Sequence, residues 1–294
     1  MSNQEFPEKA ESYHGYRLHR FTFDGCECFI VEPHRPRPGR EWLWKAEFFE
    51  AFPAFELAML ERGFYLAFIT VGNTFGCPDA LEHWDAFYRE LTTRYGFARR
   101  AILFGLSRGG LYIYNWAAKN PGKVACLYAD NPVCDFKSWP GGKGVGPGSP
   151  EDWQKLLRDY HFATEAEALS WPGNPVDNLK PLAEAGIPVI HAAATDDEVV
   201  PVSENTDILE PRYRALGGVI GVIRHPGKHH PHGLQDPTPI INFILKHKFS
   251  CIGDFAPLGA TKALRPWNPT GKVPAPNTSD PGKPERFSLR VGEL

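Results

Sequence analysis

The segment Ala101-Ile-Leu-Phe-Gly-Leu106 runs without a break into Ser107-Arg-Gly-Gly110 and on into Leu111-Tyr-Ile-Tyr-Asn-Trp-Ala-Ala-Lys119. The first part is a short, continuously apolar run of the kind that forms a buried strand. The last has helical spacing and is stopped by Asn120-Pro121-Gly122. Between them the chain must turn sharply at the serine of Gly105-Leu-Ser-Arg-Gly109. Such a turn strains the serine backbone and brings strand and helix so close that residues lacking Cβ are needed on both sides; Gly105, Gly109 and Gly110 supply them. The hydroxyl is thereby lifted to the carboxyl edge of the sheet. A glycine-rich strand-to-helix turn can also cradle a phosphate or serve close packing alone, so the flanking segments decide.

Upstream, residues 65–71 read as a strand and 81–95 as an amphipathic helix, and 124–128 is the strand that follows the turn and its helix. Nearer the start, 17–23 and 27–31 flank Asp24-Gly25 as a hairpin, 41–45 is a third strand, and 48–62 has the apolar spacing of a helix ended by Gly63. Downstream, strands at 187–192 and 219–224 alternate with helices at 203–216 and 239–248. Alternation of this kind predicts an α/β protein with a mostly parallel central sheet and helices on both faces.

Regularity lapses after residue 131 into Trp139-Pro-Gly-Gly-Lys-Gly-Val-Gly-Pro-Gly148, a helix at 150–160 and shorter fragments, which read as an inserted cap at about 132–185. One domain is expected over 1–250. A Pro/Gly-rich tail or linker follows at 251–294, too poor in apolar groups to build a core. Its ending, Arg286-Phe-Ser-Leu-Arg-Val291, reads as the first strand of a further domain.

Two later strands end in loops that carry an acid and a base. The first leads into Thr195-Asp-Asp-Glu-Val-Val-Pro201, and the second ends in Arg224-His-Pro-Gly-Lys-His-His-Pro-His232. The order Ser, Asp, His along the chain, each after its own strand, is the one a nucleophile elbow requires. An aspartate followed by two residues and then Val-Pro resembles the acid loop of many α/β-hydrolases, and that resemblance selects Asp197 over Asp196. In hydrolases of that kind the base usually follows a Gly-rich approach, here Gly227-Lys228, so the resemblance implies His229 as first choice, with His230 second and His232 third. A neutral imidazole can take the Ser107 proton and return it to a leaving group, while Asp197 fixes its tautomer. The bland alternative for the aspartates is loop or helix capping.

A developing oxyanion needs two N–H donors. Arg108, next after the serine, offers one, and the loop after the third strand offers the other from Ala46 or Glu47. His229, His230 and His232 with Asp236 could also be read as a metal cluster, but adjacent histidines in a loop are expected to point apart, so no metal and no cofactor is expected. Lys45, Asn131 and Trp139, grouped by topology at the same sheet edge, are candidate substrate contacts, with Glu47, Arg108 and Asp135 beside them. Trp84, Trp116, Trp153 and Trp171 suit either sugar platforms or the core.

With these residues in place, the chain over roughly residues 17–248 resembles the α/β-hydrolase superfamily, nearest in style to the prolyl-oligopeptidase-like and acetyl-xylan-esterase-like hydrolases. Arg108 directly after the nucleophile is also similar to glucuronoyl esterases, and there the resemblance implies a role in polarising the ester carbonyl. The resemblance implies a serine esterase acting on a carboxylic ester, such as an acetyl or methyl ester on a carbohydrate. The alternatives are a peptidase of prolyl-oligopeptidase type and a non-catalytic glycan-binding module on the same scaffold. A dehalogenase would carry Asp at position 107.

Composition agrees with a globular enzyme: 294 residues, 42% of them hydrophobic, with a formal net charge of -3, and no basic run that would track a nucleic acid. No apolar stretch spans a bilayer, and the six cysteines lack a Cys-x-x-Cys pair. Buried thiols and a cytoplasmic location are expected, or a secreted or periplasmic one if a leader was removed.

Overall fold

A computed structural model describes Phe6 and residues 10–247. The expected tail at 251–294, and the strand-like ending within it, lie outside the described residues. The sheet opens with β1 (Ala10–Tyr13), β2 (Tyr16–Phe23) and β3 (Cys26–Glu32), an antiparallel meander. Both of its turns use two residues at positive φ, His14-Gly15 and Asp24-Gly25, the backbone that a tight hairpin needs. The first of these hairpins was not legible from strand periodicity because β1 has only four residues.

From there β4 (Trp42–Ala46), β5 (Tyr65–Ile69), β6 (Ala101–Leu106), β7 (Val124–Asp130), β8 (Val189–Ala194) and β9 (Ile220–His225) follow in chain order. Their spatial order is β1-β2-β3-β5-β4-β6-β7-β8-β9, and every pairing from β5 onward is parallel. Strands β4 to β8 are buried along their whole length, which is why they read as unbroken apolar runs rather than alternating ones.

Helices cover both faces. On one lie α1 (Ala54–Glu61) and α8 (Thr238–His247), whose Phe55, Met59, Ile240 and Ile244 pack with Phe104 and Tyr128 of the sheet. On the other lie α2 (Pro78–Arg89), α3 (Gly109–Lys119) and α7 (Thr206–Ala215), packing Trp84, Phe87, Leu111, Trp116, Leu209 and Tyr213. The segment between β7 and β8 carries α4 (Pro150–Asp159), α5 (Glu165–Leu169) and α6 (Lys180–Glu184). Its Phe136, Trp153, Leu156 and Leu182 join the core on the α2–α3 face, so the insertion shares the main core.

One expected element is corrected. The helix expected at 48–62 begins only at Ala54, after Pro53. Residues 47–53 form a loop in which Glu47, Phe48 and Phe52 all have positive φ. Of the phenylalanines that suggested helical spacing, Phe49 is buried and stacked on Phe29 at 4.6 Å, while Phe48 and Phe52 are partly buried. The chain leaves β4 toward β5 on one side and leaves β6 toward β7 on the other. Strand order therefore reverses between β4 and β6, where an open α/β sheet forms its ligand crevice. Ala46 pairs with Gly105 at that point.

Candidate active site

Ser107 takes φ 48°, a conformation unfavourable for a residue with a side chain. It is held there by its own backbone: its N–H donates to the Asp130 carbonyl at 2.9 Å, and its carbonyl accepts from Gly110 and Val133, both at 2.9 Å. The flanking glycines are required by contact. A Cβ on Gly105 would stand 2.6 Å from the Gly109 carbonyl, and one on Gly109 would stand 2.7 Å from the Ala46 carbonyl. Strand β6, helix α3 and the end of β4 therefore touch backbone to backbone, and the serine hydroxyl projects from their junction.

The three residues read as nucleophile, base and acid meet there. Ser107 Oγ lies 2.9 Å from His229 Nε2, and His229 Nδ1 lies 2.7 Å from Asp197 Oδ2. The other Asp197 oxygen accepts from the Val199 and Val200 N–H groups at 2.9 and 2.8 Å, which fixes the carboxylate plane. Residual exposures of 8%, 4% and 7% leave a mostly dry hydrogen-bonded line reaching the surface at the serine. Asp196 instead turns outward and meets the Gly227 N–H at 3.3 Å.

Sequence reasoning missed how the histidine loop is held. His232 Nδ1 lies 2.7 Å from the carboxylate of Asp130, which also accepts from Tyr128 and the Gly233 N–H. The available signal was Asp130 itself, a carboxylate closing an otherwise apolar strand beside the nucleophile's. The expectation that neighbouring histidines point apart is corrected. The rings of His229, His230 and His232 lie 4.7 to 4.9 Å apart, each pair edge to face. One ring nitrogen of each lies within 4.8 Å of the others. Asp236 takes no part; it accepts from the Thr238 N–H. Burial, then the charges of His229 and His232, hold the His230 pKa below its ordinary value.

Two of the substrate-contact candidates are corrected. Lys45 is wholly buried, ion-paired with Glu56 and donating to the carbonyls of Ala51 and Phe49, so its charge is spent inside the loop that follows β4. Burial raises the Glu56 pKa against the opposing pull of Lys45. Asn131 is also buried; its amide donates to the His229 carbonyl at 3.2 Å and accepts from the Ala194 N–H at 2.8 Å. It ties two loops and is almost wholly buried, which leaves its side chain little access to substrate. Trp139 is half-buried, with Phe75 6.1 Å from its ring. Trp84, Trp116 and Trp153 are buried in the core; Trp171 remains 36% exposed.

On the oxyanion side, the N–H groups of Arg108 and Glu47 meet no hydrogen-bond acceptor among the described residues. Ala46, by contrast, is the last residue of β4 and lies in the ladder against Gly105. The Glu47 carboxylate pairs with Arg108 Nε at 2.9 Å, and the guanidinium lies over the Phe48 ring at 4.7 Å. Beside this pair a cavity of about 230 Å³ is walled by Phe68, Val71, Trp84 and Tyr112. It adjoins the elbow through Arg108 and Glu47; Ser107 and His229 do not line it. Burial and then the Glu47 charge hold the Tyr112 hydroxyl well above its ordinary pKa, so it stays protonated. Asp135, also at this sheet edge, has its pKa raised by burial and sits 3.4 Å from Lys137.

No protein-family model matches the chain, and no curated protein matches its sequence. Solved structures do. Dipeptidyl peptidase 4 of Porphyromonas gingivalis superposes with TM-score 0.59 at 12% identity, covering 82% of this chain and 36% of that one. A puromycin hydrolase gives 0.57 at 14%, covering 80% and 39%. The acylaminoacyl peptidase of Pyrococcus horikoshii gives 0.55 at 14%, covering 76% and 38%. The chain thus spans less than two fifths of the length of these neighbours, and what it shares with them is the α/β-hydrolase fold. Among the described residues no helix is long and apolar enough to cross a membrane.

Proposed function

We propose that this chain is a serine hydrolase that cleaves a carboxylic ester through an acyl-enzyme at Ser107, and that its substrate class is an acetyl or methyl ester on a carbohydrate. The carrying observation is the buried line Ser107–His229–Asp197, with the serine at the strained turn where strand order reverses. His229, whose Nδ1 proton is held by Asp197, accepts the Ser107 proton at Nε2 as Oγ attacks the carbonyl carbon. The resulting oxyanion is received by the N–H groups of Arg108 and Glu47; Glu47 is preferred to Ala46 because its N–H is uncommitted. His229 then protonates the leaving alcohol, and water repeats the sequence on the acyl-enzyme.

A cavity of about 230 Å³ is smaller than the roughly 300–1,000 Å³ that hold drug-sized ligands, and this favours a small acyl group such as acetyl. The ion pair at its rim favours a polar alcohol. With Trp42, Trp44, Trp84, Trp116 and Trp153 in the core, Trp139 and Trp171 are, among the described residues, the tryptophans left to meet a sugar ring.

The peptidase reading draws on the solved neighbours, two of the three being named as peptidases. Purified protein assayed on acetylated and methyl-esterified sugars beside peptide amides separates the two. Ester turnover that Ser107→Ala abolishes is the expected result; turnover of peptide amides without esters favours the rival.

A further inference from the structure

The histidines of the 229–232 loop form a second arrangement that ester hydrolysis does not use. His229 and His232 each present Nδ1 to a buried carboxylate, Asp197 and Asp130, at 2.7 Å in both cases. A ring so held carries its proton on Nδ1 and turns a lone pair outward at Nε2, the arrangement by which carboxylates orient metal-binding histidines. His229 Nε2 faces Ser107. His232 Nε2 is buried and meets no hydrogen-bond partner among the described residues, an orphaned acceptor that calls for a ligand. His230, the third ring, is exposed and completes the set, one nitrogen from each lying within 4.8 Å of the others.

We infer that His229, His230 and His232 form a binding site for Zn²⁺ or a similar borderline transition-metal ion, and that the ion inhibits the hydrolase by occupying His229 Nε2. Three imidazoles satisfy zinc's preference for nitrogen donors and leave a fourth position for water. Zn–N bonds of about 2.1 Å put tetrahedral nitrogens about 3.4 Å apart, so the set must draw in by roughly an ångström. The exposed His230 ring is the one free to swing, and it also gives the ion a route from solvent. The lone pair that would hold zinc is the one that must take the Ser107 proton, so metal binding and catalysis exclude each other. The inhibitory half of this inference rests on the serine-hydrolase reading; the binding half does not.

Zn²⁺ titrated calorimetrically into the Ser107→Ala protein, which keeps all three imidazoles, tests the binding half alone. One ion per chain is expected, with binding weakened by about tenfold or more in His230→Ala and in His232→Gln. In the otherwise native enzyme, His230→Ala is expected to hydrolyse p-nitrophenyl acetate at the parent rate while needing about tenfold more Zn²⁺ for the same inhibition. Zinc that fails to bind, or that inhibits His230→Ala as strongly as the parent, overturns the site. Zinc binding in a protein that a fluorophosphonate does not label supports the site and counts against the hydrolase reading instead.

Discussion

The side-chain amide of Asn131 donates to the backbone carbonyl of His229 at 3.2 Å, while its oxygen accepts from the Ala194 N–H. The loop that carries His229 is thereby pinned to the end of β8, the strand that leads into Asp197. Removing the amide in Asn131→Ala leaves two buried backbone groups unpaired. We expect a loss of about 1–3 kcal/mol in urea denaturation, and a fall in kcat that exceeds any rise in KM because the base is displaced while the cavity is not. A variant with parent kcat would show that the tie is dispensable.

Lys45 and Glu56 form a wholly buried pair beneath the loop of residues 47–52. Breaking it from one side strands a charge, so Lys45→Met is expected to lose about 3–5 kcal/mol. Replacing both, as Lys45→Met with Glu56→Leu, is expected to recover much of that loss. Lys45 also donates to the Ala51 and Phe49 carbonyls, so the double variant should regain stability more fully than the proposed hydrolase activity. A denaturation and activity cycle over the four proteins reads both effects.

Gly105→Ala places a methyl 2.6 Å from the Gly109 backbone. Neither element can retreat without moving Ser107. The expected outcome is destabilisation by about 1–3 kcal/mol together with loss of activity out of proportion to the unfolded fraction. Gly122→Ala, where nothing lies within 4 Å, is the control that should leave activity unchanged.

His191 lies buried between the Tyr114 hydroxyl at 2.7 Å and Thr206 Oγ1 at 3.0 Å, and burial lowers its pKa from 6.5 to about 3. Between those values the unfolded chain takes up a proton that the folded chain refuses. This contribution to stability is complete above the unfolded pKa and declines as pH falls below it, by at most ~1.4 kcal/mol per pH unit. Denaturation midpoints at neutral and mildly acid pH should separate more for the parent than for His191→Gln. An equal separation would show that this group does not govern the acid limb.

Much of this site was legible because its chemistry is punctuated by strands. Ser107 and Asp197 each follow a buried run that reads plainly as a strand, His229 follows an only partly buried one, and glycine or a Val-Pro step marks the register. The loop after β4 was not legible. Phe48, Phe49 and Phe52 mimic helical spacing, yet three left-handed residues fold that segment back on itself, and backbone sign is not written in hydrophobic periodicity. Lys45 and Asn131 sit at the predicted edge but face inward, because partners 11 and 98 residues away claim their polar atoms. Their long-range pairing, like that of Asp130 with His232, emerges only when the sheet is assembled.

In the proposed reaction Ser107 is a nucleophile activated by His229. The most direct measurement is reaction of the folded protein with a fluorophosphonate, followed by mass analysis of the peptide that carries residue 107. A single adduct on Ser107 is expected, absent from Ser107→Ala and strongly slowed in His229→Ala and Asp197→Asn. Folded protein that remains unlabelled, or that labels equally fast without His229, would contradict it.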